Sequence, residues 1–397
     1  MLPTTTEMEM QYKIIKNIIE LDKYKQVYDA LIKDHAGEDA YYYLYDNLKS
    51  LSGYLENNAD LCIVLVFSGV ELILIAPLQI RKRHWLYLNS KKLEFLASQN
   101  HSLGSQYGEL IYNKNTDIKN IELCLRDALE SPGMPFWDEV CFTNVHSTTH
   151  LPIGFLGEAS ISAASSCYQT PTTQPSELLL KENLKRKSRS KLRKSQKLLD
   201  IDFEAVEFLT FTSVDEALFN DMARIHSQRQ QFKREAKKYN DYTSLFDSDT
   251  ERNAMHKLTN WLSSKKMLDL HVLKLDNLVV AFLYCVRLKT KTNALIMAFD
   301  NDYEKYSPSK LLAIYAIDYQ YSEGKLTKID FLADFNHFKH QFCPEEIKRL
   351  SINCVNRSRI LSVIKFKYIT LVKYVSHNIK NVIYAITRSR LKLGYGQ

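Results

Sequence analysis

The stretch LCIVLVFSGVELILIAPL, Leu61 to Leu78, constrains this 397-residue chain more than any other. It is apolar enough for a membrane span, which would fix the class of the whole protein. Three features break that pattern. Glu71 lies inside it, Ser68-Gly69 interrupts its middle, and Pro77 stands near its end. Two short β-branched runs around a Ser-Gly turn predict a hairpin instead.

A second apolar block, LDLHVLKLDNLVVAFLYCVRLKTKTNALIMAFD (Leu268 to Asp300), reads as a three-stranded meander that turns at Asp276-Asn277 and ends at Phe299. A loop, NDYEKYSPSK, follows it, then a helix from Leu311 to Ser322 and a strand from Lys328 to Asp334. The first half has the same order. A strand pair at Leu86–Ser98 is followed by a polar loop, a helix at Ile118–Leu129 and a strand at Trp137–Val145. This predicts an α/β protein (α+β, with mixed sheets) in two similar lobes. The length agrees, at roughly 150 residues per domain. From Pro152 to Pro175 the composition turns to Ser, Thr, Ala and Pro, which predicts a linker. The expected division is therefore a first lobe over 1–155, a linker over 156–176, a second lobe over 177–350 and a basic tail over 351–397.

The apolar fraction of 45% and charged fraction of 25% exclude wholesale disorder. The net charge of +7 is concentrated: from Ser351 to Gln397 there are nine Lys or Arg and no acid. Leu180 to Leu199 carries nine more against one Glu, with Leu180, Leu184, Ser188, Leu192 and Leu199 forming one stripe of a helix. Such a helix packs through its leucines and turns its cations toward an anionic partner: nucleic acid, membrane or an anionic substrate. In the tail, apolar residues from Leu361 to Ile386 recur at helical spacing with an all-basic polar face. That pattern suits an interfacial helix over 361–392 on anionic lipid, and equally a helix docked on the second lobe. Seven scattered cysteines without a CxxC predict a reducing, cytosolic compartment, peripheral to the membrane if the tail binds lipid. MLPTTTEMEM has neither a basic nor an apolar leader region, so no signal peptide is expected.

KYSPSKLL is the most informative loop. Pro308 suits a first helical turn and Ser307 an N-cap, so the helix would point its positive end at whatever precedes it. Tyr306, Ser307, Ser309, Lys310 and Leu311 are thus candidates for holding an anion. An ordinary capped helix would show the same residues. Candidate acids and bases are Asp330, Asp334, His337, Lys339 and His340 near the last strand, and His226 on the helix that also carries Arg229. Asp330 and Lys339 would serve equally well as a structural ion pair. His337 and His340 lack metal-ligand spacing, so no metal is expected. No P-loop, GxSxG elbow, Rossmann fingerprint or HExxH occurs, which removes support for kinase, hydrolase and dehydrogenase readings.

Four phrases together resemble the CelD/BcsL-like branch of the GNAT acetyltransferases: VFSGVELILIAPLQIRKRH, LKRKSRSKLRKSQKLL, AFDNDYEKYSPSKLLAIYAIDYQYSEG and DFLADFNHFKHQF. The resemblance spans about Tyr41 to Phe342. It implies two tandem GNAT-like lobes akin to Fem-type transferases, with the basic helix between them. It departs from the family pattern at Ser309 and Asp334, where the family has Gly, and at Phe338, where it has Tyr. The resemblance implies an acyltransferase that takes an acyl group from acetyl-CoA or another acyl-CoA. The acceptor would be an amine or hydroxyl, such as an amino sugar in envelope polysaccharide synthesis. Asp330, Lys339 and His226 would be its catalytic candidates, residues 306, 307 and 309–311 would hold the CoA, and Arg189, Arg193 and Arg229 would attract the anionic substrate. Two alternatives stand beside it: an aminoacyl-tRNA-dependent Fem-like transferase, and a non-catalytic protein of degenerate fold that binds nucleic acid or membrane.

Overall fold

The computed structural model describes residues 10–35, 37–85, 88–96, 108–113, 118–146, 159–237, 243–332, 343–356, 360–365, 367 and 368. Asp334, His337, Phe338, Lys339, His340 and most of the tail over 361–392 lie outside these residues. The first half runs β1 (Met10–Ile15), α1 (Lys25–Asp34), α2 (Tyr45–Asn58), β2 (Asp60–Leu61), β3 (Ile63–Ser68), β4 (Glu71–Ala76), β5 (Leu78–Trp85), β6 (Leu88–Phe95), β7 (Ile111–Tyr112), α3 (Ile118–Glu130) and β8 (Glu139–His146). β9 (Ser160–Ala163) and β10 (Cys167–Pro171) follow, then α4 (Ser176–Asn183) and α5 (Arg186–Asp202). The second half continues with β11 (Val206–Phe211), α6 (Glu216–Lys237), α7 (Asp249–Ser264), β12 (Leu268–Leu275), β13 (Leu278–Arg287), β14 (Lys291–Phe299), α8 (Pro308–Glu323), β15 (Lys328–Asp330), β16 (Glu345–Ile347) and β17 (Arg349–Val355).

The predicted hairpin is β3–β4, with Gly69 at φ 60° in its turn. Pro77 then separates two sheets. β4 belongs to a four-stranded sheet, β1-β3-β4-β7, and β5 to a six-stranded one, β2-β5-β6-β8-β17-β9. Proline has no N–H to give a ladder, so pairing stops there, and the chain changes sheets with only its carbonyl engaged, by Leu96 N–H at 2.8 Å. The meander also forms as expected. Asp276 and Asn277 both take positive φ (46° and 70°), the two-residue turn whose twist matches the strands it joins.

Three cores result. One lies between the two sheets of the first half and α3. A second joins α1 and α2 of the first half to α6, α7 and one face of the seven-stranded sheet β11-β12-β13-β14-β15-β10-β16. The third packs α4, α5 and α8 on that sheet's other face.

Three expectations are corrected. The segment taken as a linker forms β9 and β10, and β10 sits inside the second half's sheet between β15 and β16. Its polar composition hid this, because its buried Gln169 and Thr172 are hydrogen-bonded, to Asp330 Oδ2 and the Leu326 carbonyl, rather than packed as apolar side chains. Residues 351–355, assigned to the tail, belong to β17 between β8 and β9 in the first half's sheet. Leu180–Leu199 is two helices, broken where Leu184 is extended (φ −106°, ψ 136°).

Only Lys348 separates β16 of one sheet from β17 of the other, so the lobes share strands. Deleting residues 343–397 is expected to strip amide-exchange protection from β8, about two hundred residues upstream. Unchanged protection there would show that the first half closes without β17.

Candidate functional site

β14 runs parallel to β15 for three residues only: Lys291 beside Lys328, Thr292 beside Ile329, Asn293 beside Asp330. Leu295 is then an extra residue on β14, since Tyr284 faces Ile296 while Cys285 faces Ala294. A bulge bends the strand that carries it. β14 therefore veers away, while Phe331, after β15, stays on β10 through its N–H to Tyr168 O at 2.9 Å. Among the described residues the result is a fork between β14 and the end of β15. Leu332 sits at φ 61°, a conformation that costs a bulky residue about 1–3 kcal/mol. Asp330 Oδ1 holds it there by accepting the Leu332 N–H at 2.8 Å.

From Phe299 the chain enters a 3-10 turn, Asn301–Tyr306, and then α8. Ser307 occupies the N-cap position, but in a left-handed conformation (φ 55°, ψ 48°) and without a capping side-chain bond. Its Oγ instead accepts from Ser195 Oγ on α5 at 3.4 Å. Tyr306 is buried, with its hydroxyl on Asp202 of α5 at 2.5 Å, and Lys305 reaches the same carboxylate at 3.1 Å. Leu311 is core. Ser309 and Lys310 are half-buried at the first turn. Burial, together with nearby Lys191, holds the Lys310 ammonium below its ordinary pKa, so it would gain from an anion.

The amides decide how an anion could be held. Lys310 and Leu311 N–H return to Ser307 O, Ser307 N–H goes to Glu304 O, and Pro308 has none. Asp302 and Tyr303 N–H close on Asp300. The Ser309 N–H and hydroxyl remain, with Lys310 and Lys191 near. This end of α8 fits a single phosphate group. The preceding turn, with Asp300, Asp302 and Glu304, does not form a multi-amide cradle for a diphosphate.

The other expected residues are dispersed. Arg229 lies over the Phe299 ring at 4.1 Å and donates to Asn301 Oδ1, at the open end of the fork. Arg189 donates to the Lys181 and Leu184 carbonyls at 2.7 and 3.0 Å, closing the end of α4, while Arg193 lies one turn further along α5. His226 is buried with both ring nitrogens engaged, by Ser244 Oγ at 2.7 Å and Gln230 Nε2 at 3.1 Å. Burial pushes its pKa down to about 4. Asp330 is fully buried at the closed end of the fork, as the last residue of its strand. Gln169 Nε2 donates to its Oδ2 at 2.8 Å.

No motif signals what surrounds Asp330. Lys291 Nζ lies 3.9 Å from Asp330 and 2.7 Å from Asp39, a residue of the first half 252 positions away. Asn293 Nδ2 donates to the other Asp39 oxygen at 2.7 Å. Burial works against the Lys291 charge, yet Asp39 and Asp330 together raise its pKa above the ordinary lysine value. Burial likewise pushes Asp39 up, against the pull of Lys291. A first-lobe carboxylate thus fixes the strand start at which the second lobe's fork begins. No periodicity or motif could pair residues so far apart.

Two outcomes follow. Lys291→Met, which leaves two buried carboxylates facing each other, should cost about 3–5 kcal/mol in urea unfolding. The double variant with Asp39→Asn should cost less than Lys291→Met alone. His226 and His271, the latter pushed to about 3 by burial with Arg287 adding, are neutral when folded and take a proton near pH 6.5 when unfolded. Their stabilisation is complete above pH 6.5. It falls by about 1.4 kcal/mol per pH unit for each histidine as pH drops toward the folded values. His271→Gln should flatten the fall in melting temperature between pH 6.5 and pH 4.

Residues 186–340 match the family model described as an acetyltransferase (GNAT) domain. No curated protein matches the chain. Among solved structures, FemX aligns at TM-score 0.56 and 12% identity, over 89% of this chain and 99% of its own. A conserved protein of unknown function from Bacteroides thetaiotaomicron aligns at TM-score 0.52 and 12% identity, over 88% of this chain and 100% of its own. Identities this low speak for the fold alone. Among the described residues no helix is long and apolar enough to cross a membrane, and no cluster of three or more His, Cys, Asp or Glu is placed to hold a metal. The family match covers the stretch that holds the forked sheet and α8, and the chain as a whole is similar in fold to FemX.

Proposed function

We propose that the second lobe is an N-acyltransferase that takes its acyl group from acetyl-CoA or another acyl-CoA. The acceptor would be an amine, an amino sugar or related envelope precursor, as the resemblance to the CelD/BcsL-like branch implies. The observation that carries this reading is the bulged fork opening toward α8, whose first turn keeps the Ser309 N–H free beside Lys310. When bound, the acyl-CoA would supply an activated thioester. Ser309 and Lys310, with Lys191, would hold a phosphate of the carrier, and the edge of β14 from Ile296 to Phe299, beyond its described pairing with β15, would offer backbone groups to an amide-bearing chain. Acyl transfer of this kind depends mainly on orientation and on a donor for the developing oxyanion.

Within this reading Asp330 is a positioning residue. It accepts from Gln169 and from the Leu332 N–H, and so sets the backbone at the fork. Lys339, nine residues later in the sequence, is proposed as the catalytic cation. His226, neutral and engaged at both nitrogens, would position Arg229 one turn along α6 rather than act as a base. The proposed division has the lobes meeting at the Asp39–Lys291 pair and exchanging β10 and β17, without a free linker.

The inward-closing amides of the turn before α8 favour a second reading, in which the acyl group arrives as an aminoacyl ester on tRNA and no diphosphate has to be cradled.

Melting temperatures with acetyl-CoA, longer acyl-CoAs and free CoA separate the two. A CoA species at a hundred times its dissociation constant should add about 2.7 kcal/mol of stability, and Ser309→Glu should abolish the gain. No shift with any CoA, together with tRNA binding by the same sample, would replace the acyl-CoA reading with the aminoacyl one.

A further inference from the structure

We propose that the face built by α4, α5 and α8 docks on an anionic membrane surface and admits one lipid acyl chain into the groove between the three helices. The groove encloses about 480 Å³, within the usual range for a bound small molecule. Leu180, Leu192, Leu311 and Ile314 supply its apolar lining and Lys181, Arg189 and Arg193 its cations, which outnumber the carboxylate of Glu177 on the same wall. Its walls are fixed. Asp318 of α8 accepts from the Ser176 N–H at 2.8 Å and from its hydroxyl at 2.7 Å, which ties the start of α4 to α8. Arg189, anchored on the last carbonyls of α4, ties the end of that helix to α5.

The charges identify the occupant. Several cations elsewhere are spent on carboxylates: Lys25 and Lys265 on Asp46, Arg224 on Asp221, Lys305 on Asp202. Among the described residues no carboxylate lies within ion-pair distance of Lys181, Arg189 or Arg193, nor of the exposed Lys185, Arg186, Lys187, Lys191, Lys194 and Lys197 along α5. A run of unneutralised cations beside an apolar slot matches a ligand with an anionic head and a hydrocarbon tail. A polynucleotide would leave the slot unused. It would also find no ring to stack on along α4 and α5, where the free cations lie.

This inference is independent of the acyl donor, and its test uses none. The full-length protein is sedimented with vesicles of phosphatidylcholine, alone or mixed with phosphatidylglycerol. Binding is expected only to the mixed vesicles and should weaken as salt rises. Each cation near the surface strengthens binding roughly fivefold, so Lys181→Glu with Arg193→Glu should weaken it by well over tenfold. Arg193→Gln alone, at an exposed position, should give a smaller loss with an unchanged melting temperature. Ile314→Trp should fill the groove. It should leave attraction to the mixed vesicles but remove the rise in melting temperature that dihexanoyl-phosphatidylglycerol gives the unaltered protein. Equal binding to neutral vesicles, or binding indifferent to the charge changes, would overturn the docking face. So would charge-sensitive binding to tRNA without binding to vesicles. A short-chain lipid that still stabilises Ile314→Trp would overturn the groove.

Discussion

Lys291 lies between two carboxylates from opposite halves of the chain, Asp39 and Asp330, and all three are buried. A buried ion pair is seldom a net source of stability, because desolvation consumes most of the attraction. Its strength lies in intolerance of separation. Pulling the lobes apart would strip Asp39 of both Lys291 and Asn293 and leave Lys291 only the longer contact with Asp330, so the ions specify how the lobes meet. The position is specific too. Lys291 opens β14 and Asp330 closes β15, the two strands whose three-residue pairing precedes the fork. The geometry of the candidate active region therefore depends on a contact from the lobe that does not contain it.

Strand exchange adds to the same constraint. β10 enters the second half's sheet before that half's helices begin, and β17 returns to the first half's sheet after they end. The lobes resemble each other in order of elements but are not separable beads. The interface is also built from packing, with α1 and α2 of one half sharing a core with α6 and α7 of the other.

The chemistry available at the fork is spare. Among the described residues the ionisable groups closest to it are engaged in holding backbone or each other, and the bulge at Leu295 does the shaping. A transferase that works mainly by orienting an activated donor needs little more. The basic helix α5 stands apart from this centre. It contributes Ser195, Lys191 and Asp202 to the region of α8's first turn, and presents the rest of its cations outward. One helix thus serves both the donor end of the lobe and its outer face, which accounts for the density of charge along it.

Local pattern was sufficient for what local physics decides. The β3–β4 hairpin followed from a Gly in its turn, the β12–β13 turn from Asp276-Asn277, α8 from Pro308, and the buried Leu192 and Leu199 of α5 from spacing, though not the break at Leu184. Each depends on residues a few positions apart. The resemblance of four phrases added the tandem fold. The candidate site was legible only in part. Ser307 to Leu311 could be picked out because a helix start has a signature, but their amide accounting could not, since it depends on how the preceding turn closes. Asp330 was found without its partners, and His226 without the burial that silences it. The Ser- and Thr-rich strands β9 and β10 passed for linker because their place in a sheet comes from hydrogen bonds to distant strands, not from an apolar alternation of their own. Tertiary structure alone decided the Asp39–Lys291–Asp330 contact, the exchange of β10 and β17, and the groove beside α5. Each of these joins residues separated by more sequence than any period spans, and their meeting is settled only when the whole chain has packed.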